Sequence, residues 1–302
     1  MDLCDVNLME KINETSTSEA SLSSINNSWI EAQESLKRQL IVEDNFTWRL
    51  PSHDNGLKDN DKGEKLRYVG GVDLSFSKDD PSIACGALVV VDLEILKVIY
   101  DDFSIVRLQI PYIPGFLAFR EAPVLLELLE KMKQNAHLIY PQLLMVDGNG
   151  ILHPRGFGLA CHLGVMAKLP TIGIGKNLHH VDGLTQSGVR ELLEANESCA
   201  RDLIPLTGNS NYTWGVAMRS TEGSLKPIFI SSGHRVSIDT AVKIVKMTCK
   251  YRVPEPIRQA DIRSRDYLQK HIGVAKLIKT PSKHVADRRL CLANDIKRMA
   301  KN

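Results

Sequence analysis

Apolar and polar positions change rhythm along the chain. Four β-branched runs come first: residues 67–76 (RYVGGVDLSF), 83–92 (IACGALVVVD), 95–102 (ILKVIYDD) and 103–110 (FSIVRLQI). Short turn signals separate them, which predicts four strands, and such short connections favour antiparallel neighbours. The period then becomes helical over 116–132 (FLAFREAPVLLELLEKM). Next is PQLLMVDG at 141–148, a short continuous apolar run of the kind buried on both faces. Residues 156–169 read as a helix, TIGIG at 171–175 as a second buried strand, and 187–197 as a helix. TWGVAMRS (213–220) and KPIFISSG (226–233) form a hairpin pattern, and 237–251 a helix capped by Ser237. Upstream, Trp29, Ile30, Leu36 and Leu40 share one side of a helix over 29–40. Antiparallel strands followed by β-α-β units predict an α/β fold. It is a mixed sheet, antiparallel strands first and parallel strands after, with helices on both faces.

The two ends read differently. Residues 1–28 are rich in Ser, Asn, Thr and Glu and bury too little apolar surface to offset ordering entropy, so they predict a disordered tail. Residues 51–65 form a polar loop. From Lys276 onward there are eight Lys and Arg against two Asp. The expected layout is therefore a domain over 29–272 and a basic tail over 273–302. Across all 302 residues, 38 Lys and Arg meet 36 Asp and Glu, a net charge of +2. This excludes a strongly basic profile but not local basic patches. With no run of 18 apolar residues and no apolar leader at the start, the chain is expected to be soluble, away from the membrane, in the cytoplasm or nucleus. Six scattered cysteines (Cys4, Cys85, Cys161, Cys199, Cys249, Cys291) without a C-x-x-C pair are expected to be reduced and structural, and give no support for zinc.

Three carboxylates look misplaced. Asp73 interrupts an apolar strand, where an uncompensated charge costs several kcal/mol. Asp147 ends a buried strand, the place where open α/β sheets bind ligands. Glu121 shares a helical face with Leu117, Val124, Leu125 and Leu128, although Pro123 allows the helix to start near Arg120 and would then put Glu121 at its mouth. A strand centre, a strand end and a helix start together suggest a Mg²⁺-type site, since hard cations bind through one or two carboxylates each. Ion pairs with arginines or helix caps would account for the same acids.

The stretch 147–158 (DGNGILHPRGFG) holds four glycines with His153 and Arg155, and the helix after it aims its N-terminus back at the loop. Close backbone approach and anion binding both suit that arrangement. Lys176 follows a buried strand and is either a surface lysine or a group able to stabilise a pentavalent phosphate. PYIP at 111–114 is stiffened by Pro111 and Pro114, leaving Tyr112 and Ile113 to project as packing or as a wedge between bases.

Taken together, GGVDLSF, PYIPGFLAFREAP, LLMVDGNGILHPRGFGLACHLGV, PTIGIGKN, GHRVSIDTA and YRVPEPIRQAD resemble the endonuclease V family, in the family's order and over roughly residues 67–266. The resemblance implies an RNase H-like fold and a monomeric Mg²⁺-dependent nuclease, Mn²⁺ substituting. The implied reaction is cleavage of the second phosphodiester bond 3′ to inosine, leaving a 3′-hydroxyl and a 5′-phosphate. The long tails look eukaryotic, and for a eukaryotic member the resemblance implies a preference for inosine in single-stranded RNA over deoxyinosine in DNA, with both as expected substrates. By the same resemblance Asp73, Glu121, Asp147 and Asp261 are metal ligands, and Lys176 lies near the scissile phosphate. Pro111, Tyr112, Ile113 and Pro114 form a wedge, and Gly148, Gly150 and Gly156 belong to the pocket for a flipped base. His153 and His234 are candidate phosphate-contacting or supporting residues. Asp261 is singled out by resemblance alone.

Overall fold

A computed structural model describes residues 27–51, 63–195, 203–221 and 226–277. The segment 1–26, most of the polar loop and the chain after 277 lie outside the described residues, and so do Cys4, Cys199 and Cys291. A helix over residues 27–37, α1, leads into β1 (Tyr68–Phe76), β2 (Ile83–Asp92) and β3 (Lys97–Arg107). There follow α2 (Leu117–Asn135), β4 (Leu143–Asp147), α3 (Leu159–Ala167), β5 (Thr171–Gly175) and α4 (Gln186–Ala195). The chain continues through β6 (Leu203–Thr207), β7 (Thr213–Met218), β8 (Ile228–His234), α5 (Ile238–Thr248) and α6 (Glu255–Leu277). No helix among the described residues is long and apolar enough to cross a membrane.

One eight-stranded sheet runs in the order β3-β2-β1-β4-β5-β8-β7-β6. β1 pairs with β4, and β4 with β5, in parallel; the remaining neighbours are antiparallel. The mixed sheet is as the pattern of elements predicts. α2 and α3 pack on one face, where Leu125, Leu128 and Leu163 meet Val72, Leu88 and Val146. α5 and α6 cover the other, where Ile244 and Ile257 meet Val69, Met145 and Ile172. Ser237 caps α5 as expected, its hydroxyl accepting a hydrogen bond from the Thr240 N–H.

Three elements depart from expectation. Residues 95–102 and 103–110 are not two strands but parts of the single strand β3. Asp101 and Asp102, which look like a turn, lie on the sheet edge, where Arg263 and Lys131 pair with them. β6 is unexpected, because Pro205 argues against a strand; it is the opposite edge, and an edge tolerates a residue that cannot donate to the ladder. α6 hides behind Pro254 and Pro256, yet a proline in the first turn removes no intrahelical bond. That helix reaches Leu277, beyond the boundary expected at residue 272. Cys85, Cys161 and Cys249 are free thiols, each pushed up to about 12 by burial, in keeping with a structural role.

The two-residue period of β1 positions the site. Val69, Gly71, Asp73 and Ser75 all face α6: Val69 clusters with Ile257, and the Ser75 and Ser264 hydroxyls lie 2.6 Å apart. Gly71 lets the helix start approach, since a Cβ there would stand 2.1 Å from the Pro256 carbonyl oxygen. Gly71→Ala is therefore expected to push α6 off the sheet and destabilise the fold by about 3 kcal/mol, as overpacking does. A thermal melt within a degree of the parent protein would show that the helix start yields instead.

Candidate active site

Asp73 lies mid-strand in β1 and Asp147 at the end of the neighbouring β4, and strand alternation turns both toward the α6 face. Lys176 follows β5 with the same alternation, and its ammonium forms an ion pair with Asp147. α6 brings Asp261 on a face shared with Ile257, Ser264 and Leu268, and Arg265 pairs with Asp261 at 2.6 Å. Glu121 arrives from the opposite side of the sheet. α2 begins at Leu117, so Glu121 sits in its second turn and is buried, not at the helix mouth. Pro123 is accommodated inside the helix.

Burial and proximity dominate the electrostatics. The Asp73 carboxyl is held well above the usual carboxylate range, first by burial and then by the charge of Asp147. Glu121 is pushed up to about 7, chiefly by burial, with Arg120 opposing and Asp147 reinforcing. Burial works against the Lys176 ammonium, yet Asp147, Asp73 and Asp261 together hold it above the ordinary lysine value. The side-chain atom Asp73 Oδ2 is buried and has no hydrogen-bond partner among the described residues. An anionic oxygen left bare costs several kcal/mol unless a cation meets it. With Asp147 and Asp261 beside it, the donor set is the all-oxygen kind that Mg²⁺ or Mn²⁺ prefers. The residues present therefore fit a hard divalent cation, although in this conformation no three acids, His or Cys among the described residues already stand at ligand spacing. Lys176 and Arg265 hold two of the acids instead.

The glycine-rich loop leaves β4 beside this cluster. Gly148 (φ +153°) and Gly156 (φ +62°) adopt backbone that other residues rarely take. Gly150 is packed against β8, where a Cβ would lie 2.0 Å from the Ser232 carbonyl oxygen. The N–H groups of Gly148, Gly150 and Gly156 already donate to Ile174 O, Ser231 Oγ and His153 O. Leu159, Ser232 and Lys37 fill the space a side chain would take at the three positions, so these glycines let the loop pack closely and present no free N–H donors. Tyr112 projects from PYIP and is 57% exposed, with Pro111 and Pro114 exposed beside it. Ile113 does not project as expected; it packs into the cluster of Trp29, Phe116 and Phe119.

α1 stitches loop and wedge together, a role that nothing in the sequence singles out. The Gln33 amide donates to Gly115 O (3.2 Å) and to Phe157 O (3.1 Å) and accepts from Arg155, while Lys37 donates to Arg155 O (2.8 Å). A buried Gln on an otherwise apolar helix face is the signal that could have found it. His153 is buried at the loop centre, where its Nδ1 accepts from the Arg155 N–H at 3.2 Å. His234 lies outside the cluster. It pairs with Thr171 at the start of β5, about 13 Å of strand from Gly175, and its Nδ1 accepts from the Ile41 N–H at 3.3 Å. That histidine anchors the chain after α1.

Carboxylates gathered where β1, β4 and α6 meet on a mixed, helix-covered sheet define an RNase H-like nuclease. A family model described as Endonuclease V matches residues 53–262. Mouse Endonuclease V is 43% identical over 245 residues, covering 81% of this chain and 70% of its own. The human protein is 42% identical over 246 residues, 82% of this chain and 84% of its own. The crystal structure of human Endonuclease V superposes with a TM-score of 0.72 at 42% identity, covering 81% of this chain and 98% of that one. Endonuclease V of Ciona intestinalis, solved with a 24mer DNA containing an inosine followed by a ribo-adenosine, gives a TM-score of 0.73 at 32% identity over 82% of this chain and 99% of that one. This chain belongs to the Endonuclease V family.

Burial also sets a pH dependence. His153, His162 and His234 are each lowered to about 4, primarily by burial. Between about pH 6.5 and 4 the unfolded chain binds protons that the folded one refuses, so stability rises with pH across that window. Asp73 and Glu121, raised by burial, oppose this contribution over the same window, so in Asp73→Asn/Glu121→Gln, which lacks them, the melting temperature is expected to fall on acidification from pH 6.5 to 4, with net proton uptake on unfolding measurable by calorimetry in two buffers. A flat profile over that range would mean that these imidazoles protonate without unfolding.

Proposed function

We propose that the protein is a Mg²⁺-dependent, inosine-specific endonuclease. It cleaves the second phosphodiester bond 3′ to inosine in single-stranded RNA, and to deoxyinosine in DNA, leaving a 3′-hydroxyl and a 5′-phosphate. It works as a monomer in the cytoplasm or nucleus. The observation that carries the reading is the buried, unpartnered oxygen of Asp73, set among Asp147, Asp261, Glu121 and Lys176. The Ciona relative's complex with inosine-containing DNA supports the substrate.

Asp73, Asp147, Asp261 and Glu121 would hold the cation, with Mn²⁺ able to replace Mg²⁺. Bound there, it supplies a water of lowered pKa and neutralises charge on the phosphate. The protein's own residues do the rest. Burial of Asp73 and Glu121 keeps bulk water from screening them, which strengthens their attraction for a cation. Lys176 leaves its pairing with Asp147 to face the negative charge that builds on the phosphate oxygens. The exposed ring of Tyr112, backed by the Ile113 anchor, takes the stacking place of the extruded base. The loop from Gly148 to Gly156 encloses that base, its carbonyl oxygens accepting from the inosine N1–H.

A direct test compares inosine with adenosine at one position of the same oligonucleotide, as RNA and as DNA, with Mg²⁺ and with chelator. Cleavage is expected only with inosine and Mg²⁺, and to be absent in Asp73→Asn and Asp147→Ala while binding persists. Equal cutting of adenosine would replace the reading by a structure-selective nuclease, and binding without any cutting by an inosine reader. Tyr112→Ala is expected to weaken binding of inosine strands by roughly 1–3 kcal/mol, the worth of one stacked base. An unaltered binding isotherm for that variant would remove the wedge from the mechanism.

A further inference from the structure

A cavity of about 580 Å³ opens beside Lys176, between α4 and the start of β8. Its wall carries five cationic side chains, Lys176, Arg190, Arg219, Lys226 and Arg252, against one carboxylate, Glu194. That concentration stands out in a chain whose total charge is only +2. Glu194 engages Arg190 at 2.7 Å on the exposed side of α4, so among the described residues the wall holds no second carboxylate to face Arg219.

Two arginines divide the work. Arg252 is spent on construction: it donates to Lys226 O (3.0 Å), Pro227 O (2.9 Å) and Lys176 O (3.3 Å), fixing the cavity wall to the catalytic lysine. Arg219 gives one Nη2 bond to Leu193 O at 3.2 Å. Its Nε is buried and has no partner among the described residues. Five cations gathered on one wall repel one another, a standing cost that an anion with several oxygens in the cavity would remove.

We infer that this cavity is a subsite for a backbone phosphate of the substrate strand next to the cut. The inference rests on the proposed nuclease activity and adds a location to it. The location follows from the layout. Lys176 lines the cavity and pairs with Asp147, so the cavity adjoins the carboxylates of β1 and β4. The glycine-rich loop borders it as well, since Leu152 packs with Val189, Leu193 and Phe229 of the cavity wall. A strand whose phosphate is cut at Asp73 and Asp147 therefore passes the cavity with a neighbouring phosphate.

The experiment uses the full chain and two series of inosine RNAs, one with 3′ flanks and one with 5′ flanks of increasing length. Binding of inosine-free single strands is measured in parallel at several salt concentrations. For the parent protein, KM is expected to fall as one of the two flanks grows. In Arg190→Gln/Arg219→Gln that gain is expected to shrink about 5-fold, and the logarithmic salt slope of binding to fall by about 0.7 for each phosphate no longer neutralised. Arg219→Lys, which keeps the charge, restores most of the gain, and matching thermal melts exclude a loosened α4. A flank effect that survives the double variant overturns the subsite, as does a KM increase equal for short and long flanks. Inorganic phosphate binding that disappears in the variant without any flank effect assigns the cavity to a free anion and equally overturns it. If the parent protein cuts no inosine strand, the nuclease reading fails by itself, and the salt slopes still decide whether the cavity holds a strand.

Discussion

A carboxylate buried in the middle of a central strand governs the molecule. Asp73 has β2 on one side and β4 on the other, with α6 across its face, and one of its oxygens meets no donor among the described residues. Such a group works against folding, and the sheet around it must supply the stability to hold it there. It does so with strands β2, β4 and β5, almost wholly buried and sandwiched between helical layers. The bare oxygen itself has no protein donor to give up to a cation, whereas Asp147 and Asp261 must first exchange their contacts with Lys176 and Arg265.

The rest of the site follows from bringing charges to that oxygen. Parallel pairing of β1, β4 and β5 puts successive strand ends side by side, which is why Asp147 and Lys176 reach the same place. Gly71 lowers α6 onto β1, and the helical repeat carries Asp261 to the cluster about two turns from where the helix starts. Lys176 and Arg265 compensate the acids in this conformation, so like charges coexist in a small volume until a ligand replaces those contacts. Opposite them, α1 ties the PYIP turn to the glycine-rich loop through a few amide and ammonium bonds, so the two loops are held as a unit.

Much of this is legible along the chain, and the exceptions have physical causes. β2 and β5 coincide with their apolar runs because strands buried on both faces must be apolar throughout. β3 and β6 are blurred because edges accept the charges and the proline that sequence patterns read as breaks. Asp73 and Asp147 stand out as acids in apolar strands. Asp261 does not, because a polar residue on an amphipathic helix is ordinary until the partner of that helix face is known. His234 stands in a family-like motif, and its contact with the backbone at Ile41 joins segments nearly two hundred residues apart, which no local pattern announces.

Which residues could be chemical is already decided by the local pattern of the chain. A strand or helix has a short period, and an acid or glycine that breaks it is visible one residue at a time. Which of them meet is a matter for the folded molecule. Glu121 crosses from the other face of the sheet, Gln33 clamps loops more than eighty residues away, and α4 with β8 gathers arginines scattered over sixty residues into one cavity. Those meetings depend on strand order and on how closely helices approach the sheet, and neither quantity is written in any local stretch of the chain.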